Sequence, residues 1–347
     1  MTAAAPVRLA VAGAGLIGRR HATAILAAQG ARLAAIIDPD PAVRGFAASL
    51  GVAHHADLAD LPRGSADGVI LATPNTLHVD GGLTCIAAGL PVLVEKPIAS
   101  DTAAAARLVR AAEAAGLPLL TGHHRRHNPL IAAARALIDG GAIGVPVSVH
   151  GMFWLKKPDD YFDTPWRRQP GAGPVFTNLI HDVDLMRHLV GEVVAVQAAV
   201  ANTRRGHAVE ETAVVTLEFA GGALGTMNVS DTIPAPWSWE LTAAENPAYP
   251  QTGEACYQIG GSLGALELPR VRLWRHDGRQ SWWEPISARI AARPAGDPLV
   301  LQAEHFARVI RDGEAPLVSG REGLRTLAVI EAVLSAAREG RRVTLAA

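Results

Sequence analysis

Val94-Glu95-Lys96-Pro97 sets an ion-forming pair directly at the end of an apolar run, before a proline that stiffens the turn. A lysine placed there can hydrogen-bond a hydroxyl of a bound molecule. Partial burial lowers a lysine's pKa, so it can also join in proton transfer. Taken alone, Glu-Lys-Pro is more often a surface turn. A second chemical feature lies upstream, where Gly13-Ala14-Gly15-Leu16-Ile17-Gly18 follows an apolar run and opens a helical stretch. In such a sequence Gly13 permits a tight turn and Gly15 lets the backbone approach a pyrophosphate. Gly18 lets the helix, begun by Leu16 and Ile17, pack close to the strand. Asp38 lies twenty residues beyond Gly18, where an acidic residue accepts hydrogen bonds from ribose hydroxyls. A carboxylate repels a 2′-phosphate, so NAD is expected over NADP. The bland alternative is an ordinary turn with a strand-end helix cap.

The elements that must position these residues are legible in the first third of the chain. Short apolar runs at Val7–Ala12, Leu33–Ile37, Gly68–Ala72, Pro91–Val94 and Leu117–Thr121 read as buried strands. Helical stretches at Ile17–Ala28, Ala42–Leu50, His78–Ala88 and Ala103–Ala115 separate them. This alternation predicts βαβ units on a doubly wound parallel sheet. Thr73-Pro74-Asn75 then closes a strand at its carboxyl end, with His78 one turn on, and that end faces a ligand crevice. A Pro-ordered helix cap is the competing reading, and Asn75 serves either. After Gly122 the texture changes. Pro129–Asp139 reads as a helix, then Pro146–Trp154, Val193–Asn202, Thr212–Phe219, Gly222–Ser230, Trp239–Ala243 and Leu266–Trp274 as strands of a mostly antiparallel sheet. Helices are expected over Asn178–Val190, Leu299–Asp312 and Gly320–Glu339. The expectation is a Rossmann domain over residues 1–122 and an α+β domain over 123–347 with a large open sheet. The closing helices are free to pack back on the first domain.

Composition bounds the rest. The 347 residues are 49% apolar and 19% charged, with 32 basic and 33 acidic side chains. The length suits about two domains. A net charge of −1 and the lack of a basic stripe argue against nucleic acid. No apolar run reaches the length of a membrane helix, and the run from Val7 carries three glycines with the next turn and only Arg8 as a basic lead, so a cytoplasmic protein is expected. Cys85 and Cys256 make no disulfide framework.

The ordered set Gly13-x-Gly15-x-x-Gly18 with His21, Asp38, Thr73-Pro74-Asn75 with His78, and Glu95-Lys96-Pro97, then Gly144-x-Pro146, His181 and the closing helix pair, resembles one family. It is the glucose–fructose oxidoreductase, inositol dehydrogenase and rhizopine-catabolism family of NAD(P)-dependent oxidoreductases. The resemblance covers nearly the whole chain. It implies a Rossmann domain with a second α/β domain whose open sheet backs the site and mediates a homodimer or homotetramer. It also implies that Lys96 contacts the reacting hydroxyl and that His181 is the general base, while the first motifs, Glu95 and Lys96 included, hold the cofactor. One departure stands out. Many members carry aspartate four residues before the histidine, and Thr177 occupies that place. A threonine can orient a hydroxyl but cannot hold a proton at neutral pH.

Other residues carry weaker readings. Thr177, Asn178, His181 and Asp184 share a helical stripe by spacing, and the bland reading of His181 is a histidine bonded to Asp184. The run His123-His124-Arg125-Arg126-His127 lacks metal-ligand spacing and is read as a turn between domains, with Arg125 or Asn128 free to touch substrate. No metal is expected. Tyr161, Trp166 and Arg167, with Lys156 and Lys157, lie in a long polar-aromatic segment suited to a polyhydroxylated substrate. Trp237 and Trp239 read as further platforms or as an interface, and Trp282 and Trp283 as packing. The expected activity is NAD-dependent oxidation of a secondary alcohol of a sugar, cyclitol or polyol. A non-sugar carbonyl or dihydrodiol substrate, or a sugar sensor without turnover, are the alternatives.

Overall fold

The computed structural model describes residues 5–293 and 295–345. The chain forms two compact units, one running through His127 and taking in Gly296–Leu327, the other holding Asn128–Ala295 and everything from Ala328.

In the first unit the strands are β1 (Val7–Ala12), β2 (Ala31–Ile37), β3 (Ala53–His55), β4 (Gly68–Leu71), β5 (Val92–Val94) and β6 (Leu119–Thr121). They pair in parallel in the order β3-β2-β1-β4-β5-β6. The order reverses between β1 and β4, which opens a crevice at their carboxyl ends. Helices α1 (Leu16–Ala27), α2 (Val43–Ser49), α3 (His78–Ala87) and α4 (Thr102–Ala114) connect them. The strands read as unbroken apolar runs because helices cover both faces, and β4 and β5 are buried throughout. Leu9, Ile36, Ile70 and Leu93 meet Ile25 of α1 in one core, to which the returning chain adds Phe306. The strand Ala53–His55 escapes sequence reading because three residues give no periodicity.

The second unit begins with α5 (Pro129–Asp139), where Asn128 Oδ1 accepts from the Leu130 N–H (2.9 Å) and Pro129 fills the first helical position. Then come β7 (Pro146–Trp154), α6 (Ile180–Val190), β8 (Val193–Ala201), β9 (Thr212–Phe219) and β10 (Leu224–Ser230). The short helix α7 (Trp239–Thr242) precedes β11 (Tyr257–Gly261), β12 (Ala265–Leu268), β13 (Arg272–Arg275) and β14 (Ser287–Ile290). Helices α8 (Pro298–Asp312) and α9 (Gly320–Glu339) and strand β15 (Val343–Thr344) complete the chain, with α8 in the first unit and the boundary falling inside α9. Among the described residues the sheet has nine strands in the order β14-β13-β12-β11-β7-β10-β9-β8-β15. All its pairs are antiparallel except β7 with β10.

Three expectations need correction. Trp239–Ala243 is not a strand, because Ser238 Oγ caps the Leu241 N–H and starts a single helical turn. Leu266–Trp274 is two strands, because Pro269 cannot donate to a ladder and Val271 turns the chain at φ 51°. Trp282 and Trp283 do not pack into a core. They are 89% and 83% exposed and meet each other edge to face.

Candidate active site

Three sequence-predicted groups come together in the first unit. Gly13, Gly15, Asp38, Thr73 and Pro74 line one cavity of about 720 Å³ at the β1–β4 reversal. Gly13 adopts φ +90°, and a Cβ there would lie 2.5 Å from the Ala72 carbonyl. A Cβ on Gly18 would reach the Gly13 carbonyl, so both positions are closed to a side chain. Gly15 differs, because a Cβ there would meet only open space. It is also the N-cap of α1 and offers no side-chain acceptor, whereas α4 and α8 are capped by Asp101 and Asp297. The first N–H groups of α1, those of Leu16 and Ile17 among them, therefore face outward as an anion site. Asp38 is fixed in the same cradle: its carboxylate accepts from the Ala14 N–H (2.7 Å) and the Asp40 N–H (2.9 Å).

The turn after β5 is organised by a buried pair. Glu95 Oε1 lies 2.7 Å from His21 Nε2, and both side chains are nearly inaccessible. Burial pushes the Glu95 carboxyl up, but the His21 hydrogen bond and charge, with His124 and Lys96 beyond, outweigh it and hold it at about 2. The other oxygen, Oε2, accepts from the Lys96 N–H (3.0 Å). Glu95 is thus spent on positioning the turn that carries Lys96. His78 is also buried, with Nδ1 2.8 Å from the Pro97 carbonyl and Nε2 2.9 Å from the Thr73 carbonyl. It lies between the turns after β4 and β5, with a carbonyl facing each ring nitrogen. Burial lowers its pKa most, against the two carbonyls and Glu95. Asn75 sits in a short turn over Asn75–Leu77 ahead of α3. Arg125 lies in the buried turn His124–His127, where Arg126 pairs with Glu322 at 3.0 Å.

In the second unit His181 opens α6, which is buried on nearly every side along its length. The expected helix over Asn178–Val190 begins earlier and differently, with a π turn over Val175–Leu179. That wider turn moves Thr177 and Asn178 off the simple helical stripe. Thr177 Oγ1 lies 2.9 Å from both the Gly173 carbonyl and Asn178 Oδ1. Two buried charged side chains of α6 have visible partners: Tyr257 donates to Asp182, and Arg187 grips Glu192 through two parallel bonds (2.8 and 3.0 Å). Tyr161 and Arg167 are joined, the guanidinium lying 4.1 Å from the ring centroid with Trp166 on its flank. Trp239 is buried on Tyr257 with its ring nitrogen bonded to Glu245 (2.9 Å), so it is no exposed platform.

Residues 7–123 match the oxidoreductase family with an NAD-binding Rossmann fold, and residues 131–267 match that family's C-terminal domain. The chain belongs to the Gfo/Idh/MocA oxidoreductase family. D-apiose dehydrogenase of Paraburkholderia graminis is 28% identical over 97% of this chain and 89% of its own length. Inositol 2-dehydrogenase 1 of Saccharopolyspora erythraea is 29% identical over 96% and 95%. The WlbA dehydrogenase of Bordetella pertussis, crystallised with NADH and UDP-GlcNAcA, superimposes with a TM-score of 0.79 at 29% identity over 99% of both chains.

The cradle fits the family's dinucleotide. The Thr73 hydroxyl is buried beside the cavity and makes no hydrogen bond among the described residues, so a donor is waiting there. Gly15→Val should therefore leave the melting temperature nearly unchanged while weakening NAD binding about tenfold or more, a difference that fluorescence titration beside a thermal melt would show. Some of this Gfo/Idh/MocA protein's buried charges escaped sequence reading. Asp231 pairs with both Lys157 (3.3 Å) and Arg205, and Glu210 Oε1 accepts from the Val175 N–H (3.1 Å) at the start of the π turn. The available signal was a charge at each strand end, just before β9 and just after β10.

Proposed function

We propose that this protein is an NAD-dependent dehydrogenase of a secondary alcohol on a sugar, cyclitol or related polyol. Lys96 orients the reacting hydroxyl and His181 takes its proton. The observation that carries the reading is the placement of Lys96 at the carboxyl end of β5, beside the strand whose end lines the dinucleotide cavity. Bound NAD would supply the hydride acceptor. Gly13, Gly15, Gly18 and the start of α1 would hold its pyrophosphate, and Asp38 the adenosine ribose, which favours NAD over NADP. Glu95 fixes the Lys96 backbone at the end of β5, and a lysine ammonium is a donor suited to a substrate oxygen. Histidine is the side chain suited to proton removal near neutral pH. Thr177 serves as a positioning hydroxyl. The relatives named for D-apiose and inositol support an alcohol on a sugar or cyclitol.

Nicotinamide reduction by the purified protein should be measured across sugars, cyclitols and anhydrosugars, with NAD and NADP in parallel. Turnover with NAD on one class of ring hydroxyl is the expected result. A flat panel from protein that demonstrably binds NAD would overturn the reading in favour of a sensor or a non-sugar substrate.

A further inference from the structure

We propose that Arg19 positions the cofactor's pyrophosphate without touching it, by holding the Ala14–Gly15 peptide so that the Gly15 N–H faces the dinucleotide cavity. The inference concerns the family's dinucleotide alone and stands whatever alcohol is oxidised. Two glycines flank Ala14, and glycine tolerates both signs of φ, so a peptide plane flips more easily here than elsewhere in the turn. Gly15 has φ −68°. Reversing the peptide before it would carry φ to a positive value, as between the two commonest β-turn types, which glycine accepts and other residues resist. The flip would turn the Ala14 carbonyl toward the cavity and the Gly15 N–H away from it. A carbonyl oxygen repels the phosphates that an N–H attracts.

The fold fixes Ala14 on both sides. Its N–H donates to Asp38 Oδ2 (2.7 Å), and its carbonyl accepts from Arg19 Nε (2.9 Å). Among the described residues no backbone N–H reaches that carbonyl, so Arg19 is its anchor. The Arg19 backbone N–H donates to the Gly15 carbonyl (3.0 Å), so one residue grips two successive carbonyls. The Ala14–Gly15 peptide is trans, which sets its C=O and N–H on opposite sides. Gly13, Gly15 and Thr73 line the dinucleotide cavity, whereas Arg19 lines a separate groove of about 320 Å³ with Leu16, Thr23 and Asp297. The carbonyl is therefore drawn away from the cavity. The Gly15 N–H, unbonded among the described residues, is left to face it. Nothing competes for the guanidinium. Its Cζ lies 4.3 Å from the Phe46 ring centroid in α2, and it forms no ion pair among the described residues. The acids around it are engaged: Asp38 on the Ala14 and Asp40 N–H groups, Asp40 on that of Ala42, and Asp297 on that of Leu299.

Arg19→Gln and Arg19→Met separate the grip from the charge. The side-chain nitrogen of glutamine stands as many bonds from Cα as arginine Nε does, so the first variant keeps the donor and loses the charge. Methionine keeps neither. Calorimetry on the whole protein should follow ADP-ribose, which carries the pyrophosphate, and adenosine, which does not, beside a thermal melt of each variant. Arg19→Met is expected to weaken ADP-ribose about tenfold while adenosine stays within about twofold. Arg19→Gln should hold ADP-ribose within about threefold of the original. Unchanged ADP-ribose binding in Arg19→Met would overturn the inference. An equal loss of adenosine, which marks a disturbed fold, would do the same, as would an Arg19→Gln protein as weak as Arg19→Met, which assigns the effect to charge. If the unaltered protein binds ADP-ribose no better than adenosine, this turn does not hold the pyrophosphate and the inference fails. None of these outcomes depends on turnover, so a failure here is distinct from a failure of the dehydrogenase reading.

Discussion

His181→Ala should lower kcat by about 10²- to 10⁴-fold, the usual worth of a positioned general base, with the NAD Kd unchanged. The acidic limb of the kcat/KM profile should vanish with it, because that limb reports the base of the free enzyme. Lys96→Ala is expected to fall in the same range, with a larger share in KM, because it removes a hydrogen bond to the substrate oxygen as well as a proton partner. The two effects should not add if both side chains serve one proton transfer. Stopped-flow reduction of NAD, which separates chemistry from product release, is the suitable measurement. A loss below tenfold in His181→Ala would assign the proton to another group.

The second large effect is on stability. His21→Ala leaves the Glu95 carboxylate buried without its 2.7 Å partner, and breaking a buried pair in this way costs about 3–5 kcal/mol. Chemical denaturation at neutral pH would show it. The pH dependence follows from the sign of the shift. Burial works to raise the Glu95 pKa, but the His21 interactions prevail and hold it at about 2, below the ordinary glutamate value of 4.5. Its contribution is therefore complete above about pH 4.5 and is lost as the pH falls toward 2. The variant should show less of that acid-side loss, since a buried carboxyl without its His21 partner is more inclined to protonate. Activity should fall too, because Glu95 Oε2 fixes the Lys96 N–H.

The dinucleotide half was readable because its determinants are local. Gly13, Gly15 and Gly18 are set by backbone geometry within one turn, and Asp38 by its distance along a βαβ unit. The parallel order followed from regular alternation of short apolar runs with helices. What the sequence hides is set by the partners each side chain meets on folding. Nothing near His78 announces that its two nitrogens will meet the carbonyls of Thr73 and Pro97. Tyr257 begins β11 and bonds the buried Asp182, a pairing across 75 residues that no local pattern announces. Trp239 alternates with polar neighbours as a strand residue would, and only the Ser238 cap reverses that. Tyr161, Trp166 and Arg167 drew notice by composition, but the stacking of the Arg167 guanidinium 4.1 Å from the Tyr161 ring centroid exists only once the turn has folded.

The return of α8 to the first unit decides how far this protein is modular. Phe306 is fully buried among strand residues of the dinucleotide sheet, although almost two hundred residues separate it from His127. A fragment cut at His127 would expose the apolar patch that Phe306, Ala303 and Ala307 cover. Exchanging cofactor preference by transplanting an N-terminal segment would therefore create a mismatched core unless α8 travelled with it.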